Sequence, residues 1–230
     1  MPDFNIIRES RPKKTFRVAS ILGKFDLPSE HIVEQFTGNI DLPTDWQVGL
    51  IVGSSGTGKT TIAKELFPES YITDFDYSKN SILDDMPEGK SVDEITRTFN
   101  SVGFSSPPSW LKPYDALSNG QKMRVDLANA LLRDNELTVF DEFTSVVDRN
   151  VAQIGSYAIQ KAVRKTDKKF IAVTCHFDVE DWLLPDWIFN TDSMTFTVLD
   201  NKKKSDLTSD SRYSKQKISQ FGRCLLNTII

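Results

Sequence analysis

Eight consecutive residues, Gly53-Ser-Ser-Gly-Thr-Gly-Lys-Thr60, fit the pattern G-x-x-x-x-G-K-[ST] in full. The chemistry this spacing suits is the holding of phosphate. The glycines at 53, 56 and 58 let the backbone curl so that successive N–H groups point inward at phosphate oxygens. Ser54, Ser55, Thr57 and Thr61 complete the expected cradle, and the helix that begins near Thr60 adds its positive N-terminal dipole. Lys59 can reach the β- and γ-phosphates of a nucleotide, and the Thr60 hydroxyl can ligate Mg²⁺. A glycine-rich turn with an incidental lysine is the competing reading, but it does not require all the fixed positions.

A second constellation is Leu137-Thr-Val-Phe-Asp141-Glu142, an apolar run that ends in two carboxylates. If the run is a strand of a parallel sheet, its carboxyl end faces the ligand crevice. Asp141 then holds Mg²⁺ through water, and Glu142 orients or deprotonates an attacking water. Standing alone, the same pattern also fits a strand that ends in a solvated acidic turn.

These groups need elements to position them. Gln47–Val52 reads as a buried strand, and Thr60–Leu66 as a helix that stops at Pro68. Strands are expected at Thr15–Leu22, Tyr71–Phe75, Leu137–Phe140, Phe170–Thr174, Trp187–Asn190 and Thr195–Leu199. Helices are expected at Ser91–Val102, with Ser91 as cap, at Gly120–Arg133 and at Asn150–Lys165. Ser105–Pro113 carries three prolines and reads as loop or extended chain. Strands alternating with helices imply an α/β fold with a largely parallel sheet. Residues 1–14 read as a flexible leader, 15–200 as one domain, and 201–230 as a basic polar tail.

Composition narrows the class. The chain has 230 residues, 39% hydrophobic and 26% charged, with a net charge of −4. That balance gives no global pull toward nucleic acid or anionic membrane. No stretch approaches the roughly 20 apolar residues of a spanning helix, and the N-terminus does not read as a signal peptide. Cys175 and Cys224 lack metal-ligand spacing; one disulfide between them is conceivable, and a reduced cytoplasmic protein is the simpler reading. Over 201–223, seven basic residues face two acidic ones, a net +5. Such a run is a solvated tail or a contact for nucleic acid or a protein partner.

The order of motifs resembles the ABC ATPase family. Leu117-Ser-Asn-Gly-Gln121 is similar to its LSGGQ signature, Phe143-Thr-Ser-Val-Val-Asp148 to its D-loop, and His176 stands where its switch histidine follows a strand. The resemblance covers roughly Thr15 to Leu199. It implies a P-loop NTPase fold with an N-terminal antiparallel β part and a short helical subdomain. It also implies ATP and Mg²⁺ as ligands and hydrolysis of ATP to ADP and phosphate. In the family two ATP molecules are sandwiched in a head-to-tail dimer, so the partner expected here is a second copy of the chain. Ser118 and Gly120 would then meet the partner's γ-phosphate, Asp148 would communicate across the interface, and His176 would orient Glu142 and the water. Read without the family, Ser118 is an ordinary helix cap and His176 a strand-end histidine bonded to backbone.

The sequence departs from that pattern in three places. Asn119 replaces a glycine of the signature, and Phe143 replaces the proline common after the catalytic glutamate. No glutamine marks the Q-loop between Lys59 and Leu117; Asp74, Asp76 and Asp84 are the nearby polar candidates. Phe25 stands in the region of the adenine-stacking aromatic, or belongs to the core. The expected protein is a small soluble ABC ATPase acting on nucleic acid or a protein partner. The alternatives are a nucleotide-gated module with little turnover and the nucleotide-binding subunit of a membrane transporter, a membrane partner being the less favoured.

Overall fold

The computed structural model describes residues 3–13, 15–27, 32–72 and 75–199. Its centre is a five-stranded sheet in the order β4-β5-β3-β6-β7. β3 (Val48–Val52) lies in the middle, parallel to β5 (Lys169–Thr174) on one side and β6 (Trp187–Asn190) on the other. β4 (Leu137–Phe140) pairs in parallel with β5, and β7 (Thr195–Val198) closes the far edge antiparallel to β6. Every residue of β3 is buried, which is why it reads as an unbroken apolar run instead of an alternating one.

The period of two divides β3 between two cores. Val48, Leu50 and Val52 face a cluster with Phe99, Leu127, Phe143 and Phe170. Ile51 faces the other, with Ile62, Ala63, Phe36 and Trp187. The first cluster is covered by α3 (Val92–Ser101), α5 (Asn119–Leu132), α6 (Arg149–Val163) and α7 (Val179–Leu183). The second is covered by α2 (Lys59–Leu66) and a two-stranded antiparallel sheet, β1 (Asp3–Ser10) with β2 (Ile32–Asn39). Helix starts follow their caps. Ser91 accepts from Glu94 N at 3.2 Å while the Glu94 carboxylate accepts from Ser91 N at 2.8 Å, a reciprocal capping box.

Several expectations change. Residues 3–10, within the segment read as a flexible leader, form β1, because their partners lie at 32–39, too far along the chain for local pattern to reveal. Thr15–Leu22 is not a strand: Thr15 caps α1 (Phe16–Lys24), its Oγ1 accepting from Val18 N at 3.3 Å. The β-branched residues there suggested extension, but the cap and the helix-compatible residues after it win. Pro107–Trp110 makes one helical turn, α4, since proline is tolerated in a first turn where its missing N–H is not needed. Among the described residues of Tyr71–Phe75, only Tyr71 forms a bridge, parallel to Val139. The tail at 201–230, with Cys224, lies outside the described residues, as does Asp74.

One carboxylate fixes the sheet at its amino end. Asp186 accepts from Gln47 N at 2.8 Å, Val48 N at 2.9 Å and the Arg164 guanidinium at 2.8 Å. It ties together the starts of β3 and β6 and the end of α6. Burial alone would raise this carboxyl, but the bonds from Arg164, Gln47 and Val48 outweigh it and hold it below the usual carboxylate range. A depressed folded value means stability that is present above the unfolded pKa and lost as pH falls through the folded one. Asp186→Ala should therefore cost about 2–4 kcal/mol at pH 7. In urea titrations the gap from wild type should narrow as pH drops below the ordinary carboxylate value of 3.8.

Candidate active site

The phosphate loop joins the buried β3 directly to α2. Gly56 and Gly58 both sit at φ 85°, in the left-handed region where a side chain is strained. At Gly58 a Cβ would also lie 2.3 Å from the ring of Phe36, so the antiparallel sheet closes against the loop from one side. The loop's own bonds keep it curled. Thr57 Oγ1 donates to Ser54 O at 2.9 Å, and Lys59 Nζ reaches back to the same carbonyl at 2.7 Å. Ser54, Ser55 and Gly56 are exposed, while Thr57, Gly58, Lys59, Thr60 and Thr61 are partly covered and Gly53 is buried. One ammonium and a helix N-terminus meet at this glycine-rich loop, a combination that suits an anion.

Asp141, at the carboxyl end of β4, faces the start of α2. Its Oδ2 accepts from Thr60 Oγ1 at 2.7 Å and from the Tyr71 hydroxyl at 2.5 Å, while Oδ1 accepts from Glu142 N at 2.8 Å. Burial, followed by the bond to Asp141, pushes the Tyr71 phenol far above its ordinary range. It therefore remains a donor. Thr60 and Asp141 offer hard oxygens beside the cradle, a pair that fits a Mg²⁺ ion arriving with phosphates and water. Among the described residues no group of three or more His, Cys, Asp and Glu forms a metal cage, and Mg²⁺ at a phosphate site does not need one.

Glu142 and Thr144 both adopt positive φ, 53° and 68°, a conformation uncommon for residues with a side chain. Ser145 Oγ donates to Glu142 Oε2 at 2.5 Å. Thr144 Oγ1 lies 3.3 Å from His176 Nδ1. Glu142 is exposed and Thr144 buried, so this tight turn presents the carboxylate outward and braces the histidine behind it. Phe143 explains its own departure from the family pattern. Its N–H donates to Val173 O at 2.9 Å and its side chain is fully buried, against Phe140 and Phe170. Proline could supply neither the donor nor the ring.

Ser118 caps α5. Its Oγ accepts from Gln121 N at 3.4 Å and its N–H donates to Gln121 Oε1 at 3.1 Å. Asn119 is the first residue of the helix and needs no left-handed backbone, so asparagine replaces glycine there without strain. Helix geometry leaves the Asn119 and Gly120 N–H groups without intrahelical acceptors. Gly120 packs closely on α6, where a Cβ would lie 3.0 Å from Val151. Asp148 caps α6, its Oδ1 accepting from Asn150 N and Val151 N at 3.0 Å each. Ser118, Asn119 and Asp148 are exposed. Among the described residues no hydrogen bond joins them to the phosphate loop.

The structure thus brings together Lys59, Thr60, Asp141, Glu142 and His176 within one chain and holds Ser118, Gly120 and Asp148 elsewhere. It adds residues that sequence alone did not single out. Asp192, after β6, accepts from Ser54 N at 2.9 Å and Ser54 Oγ at 3.1 Å, and Thr191 Oγ1 meets Thr57 Oγ1 at 2.6 Å. No linear motif marks them; only the sheet order places β6 beside β3. Phe25 is 62% exposed and not a core residue. A cleft of about 330 Å³ opens beneath Glu142, lined among others by Tyr71, Phe75, Asp126 and Thr144. Asp126 there is pushed up to about 6 by burial, against hydrogen bonds from Tyr77 and Tyr114 that pull it down.

Comparison with solved structures decides the fold. The dimeric ATP-binding cassette MJ0796, bound to ADP and Pi, superposes with a TM-score of 0.54 at 16% identity, over 68% of this chain and 87% of that one. A bacterial Atm1-family ABC exporter with ATP bound gives 0.56 at 17% identity, over 81% and 39%. The chain folds as an ABC-type ATPase domain. Curated relatives agree with this reading of the ABC-type domain. A 58-residue stretch is 45% identical to the phosphonates import ATP-binding protein PhnC 2 of Synechococcus sp. (strain JA-2-3B'a(2-13)), over 25% of this chain and 21% of that protein. The energy-coupling factor transporter ATP-binding protein EcfA1 of Mycoplasmopsis synoviae is 25% identical over 175 residues, 60% of this chain and 65% of that one. ATP-binding protein Uup of Haemophilus influenzae matches at 32% over 124 residues, 43% of this chain and 19% of Uup. The matches to PhnC 2 and Uup thus span only about a fifth of those proteins. No protein-family model matches this chain.

Because the Phe143 amide and ring are both used, Phe143→Pro should destabilise this domain by about 3–5 kcal/mol, read as a fall in the urea midpoint, although proline is the family's usual residue there.

Proposed function

We propose that the chain hydrolyses ATP to ADP and phosphate in a head-to-tail dimer of two copies. The observation that carries this is the Thr60–Asp141 bond, which ties the start of α2 beside Lys59 to the turn that holds Glu142 and the His176–Thr144 pair. In this reading the loop amides and Lys59 bind the β- and γ-phosphates. Thr60 and Asp141 would hold Mg²⁺, which when bound would neutralise phosphate charge. Glu142 accepts a proton from the attacking water, and His176 bonds the γ-phosphate edge.

The dimer follows from what one chain leaves open. The N-terminus of α5 exposes Ser118 and Asn119 and carries unpaired N–H groups, so it can cap a γ-phosphate presented by another copy. Asp148, the cap of α6, is exposed as well and would contact the partner's loop. The dimeric MJ0796 cassette supports this arrangement by analogy of fold.

The work coupled to hydrolysis is proposed to fall on a soluble protein or nucleic acid, met through the basic segment at 201–230. A second reading, the nucleotide-binding subunit of a membrane transporter, is favoured by the transporter names of PhnC 2 and EcfA1. No helix of the described residues is long and apolar enough to cross a membrane. Pull-down of the ATP-loaded Glu142→Gln form separates them: a membrane protein in the eluate supports the transporter, and a soluble protein or nucleic acid supports the first.

Glu142→Gln should reduce phosphate release by at least about 100-fold and accumulate an ATP-bound dimer in analytical ultracentrifugation. Wild-type protein that binds ATP but never releases phosphate would instead favour a nucleotide-gated module. Lys59→Ala should abolish ATP binding in calorimetry; tight MgATP binding by that variant would misplace the site.

A further inference from the structure

We propose that Tyr71 is a positioning residue for the metal-binding carboxylate of Asp141, an inference that rests on the MgATP reading of the site. The two oxygens of Asp141 are held by donors from three segments: Thr60 on α2, the Glu142 amide, and the Tyr71 hydroxyl at 2.5 Å. Thr60 and Tyr71 share Oδ2. When Thr60 turns its oxygen toward a metal ion, Tyr71 is the side-chain donor that still fixes the rotamer of Asp141. A hydrogen bond of this kind from outside the ligand set orients the ligand and tunes its basicity.

The tyrosine is itself held rigidly. Its N–H donates to Phe67 O at 3.0 Å, Ile72 N donates to Val139 O at 3.1 Å, and Val139 N donates to Ser70 O at 2.9 Å. These bonds lock Tyr71 onto the edge of β4, two residues before Asp141 in register. The Lys64 ammonium lies 5.0 Å over the ring, so α2 covers one face. The hydroxyl is therefore delivered by the backbone of the same strand edge and by the helix that carries Thr60. Phe75 and Tyr77 follow within a few residues and stack on each other at 5.8 Å, and Tyr77 stacks on Tyr114 at 4.1 Å. Tyr71 is thus the point at which the segment leading to the helical region touches the metal site.

The test is ATP affinity, measured by calorimetry on the full chain in EDTA and across a Mg²⁺ series, for wild type, Tyr71→Phe, Asp141→Asn and the double variant. Phenylalanine keeps the ring and its contact with Lys64, and thermal melting checks that the fold is kept. Tyr71→Phe should leave ATP affinity in EDTA within about twofold of wild type and raise the Mg²⁺ concentration for half-maximal tightening about 10-fold. On the Asp141→Asn background it should change neither quantity. An unchanged Mg²⁺ requirement in a wild type that does respond to Mg²⁺ would overturn the role of Tyr71 alone. An equal loss in EDTA, or a full extra loss on top of Asp141→Asn, would make the residue merely structural and overturn it also. Wild-type ATP affinity that ignores Mg²⁺ would overturn both this inference and the reading beneath it.

Discussion

The carboxylate of Asp141 is the junction on which the rest of the site depends. It joins α2 through Thr60, the strand edge through Tyr71 and the following turn through the Glu142 amide. A partly buried charge is tolerable only when donors surround it, and here three donors do so. Those donors also set the distance between the phosphate loop and the end of β4. The same bond from the Glu142 amide helps hold a residue at φ 53°, a backbone that a free glutamate would rarely adopt. Strain at the proposed base is thus offset by the anion one residue before it.

From that junction the molecule divides into what one chain finishes and what it leaves open. The Lys59 loop, the proposed metal oxygens of Thr60 and Asp141, the proposed base Glu142 and His176 belong to a single copy, arranged along the carboxyl ends of β3, β4 and β5. Exposed helix N-termini at Ser118 and Asp148 are built with equal care, through a capping box and a paired cap, yet among the described residues no hydrogen bond joins them to the cradle. An exposed helix start is an anion site in waiting. The proposed second copy gives these two caps something to do.

The sequence was most legible where chemistry is contiguous. The phosphate loop and the strand ending in Asp141-Glu142 could be placed because neighbouring residues share one task. Legibility failed where pairing is long-range: β1 and β2 lie far apart in sequence, and only their register reveals them. Tyr71, Thr191 and Asp192 escaped for the same reason: a bridge to β4 brings the first to Asp141, and sheet order brings the other two to the loop. The departures from the family pattern became intelligible only in three dimensions. Asn119 sits at a right-handed helix start, and Phe143 spends both its amide and its ring in the core. The apolar residues after Thr15 suggested a strand, and a single side-chain cap made them a helix.

The central claim is that each ATP site is shared between two chains, and mixing inactive copies tests it most directly. One copy carries Lys59→Ala and keeps its signature segment; the other carries Ser118→Arg and keeps its phosphate loop. Each alone should release no phosphate. Mixed in equal amounts with ATP, they form heterodimers in which an intact loop faces an intact signature, and phosphate release should reappear. Continued silence of the mixture, with heterodimers present in sedimentation, would contradict a shared site.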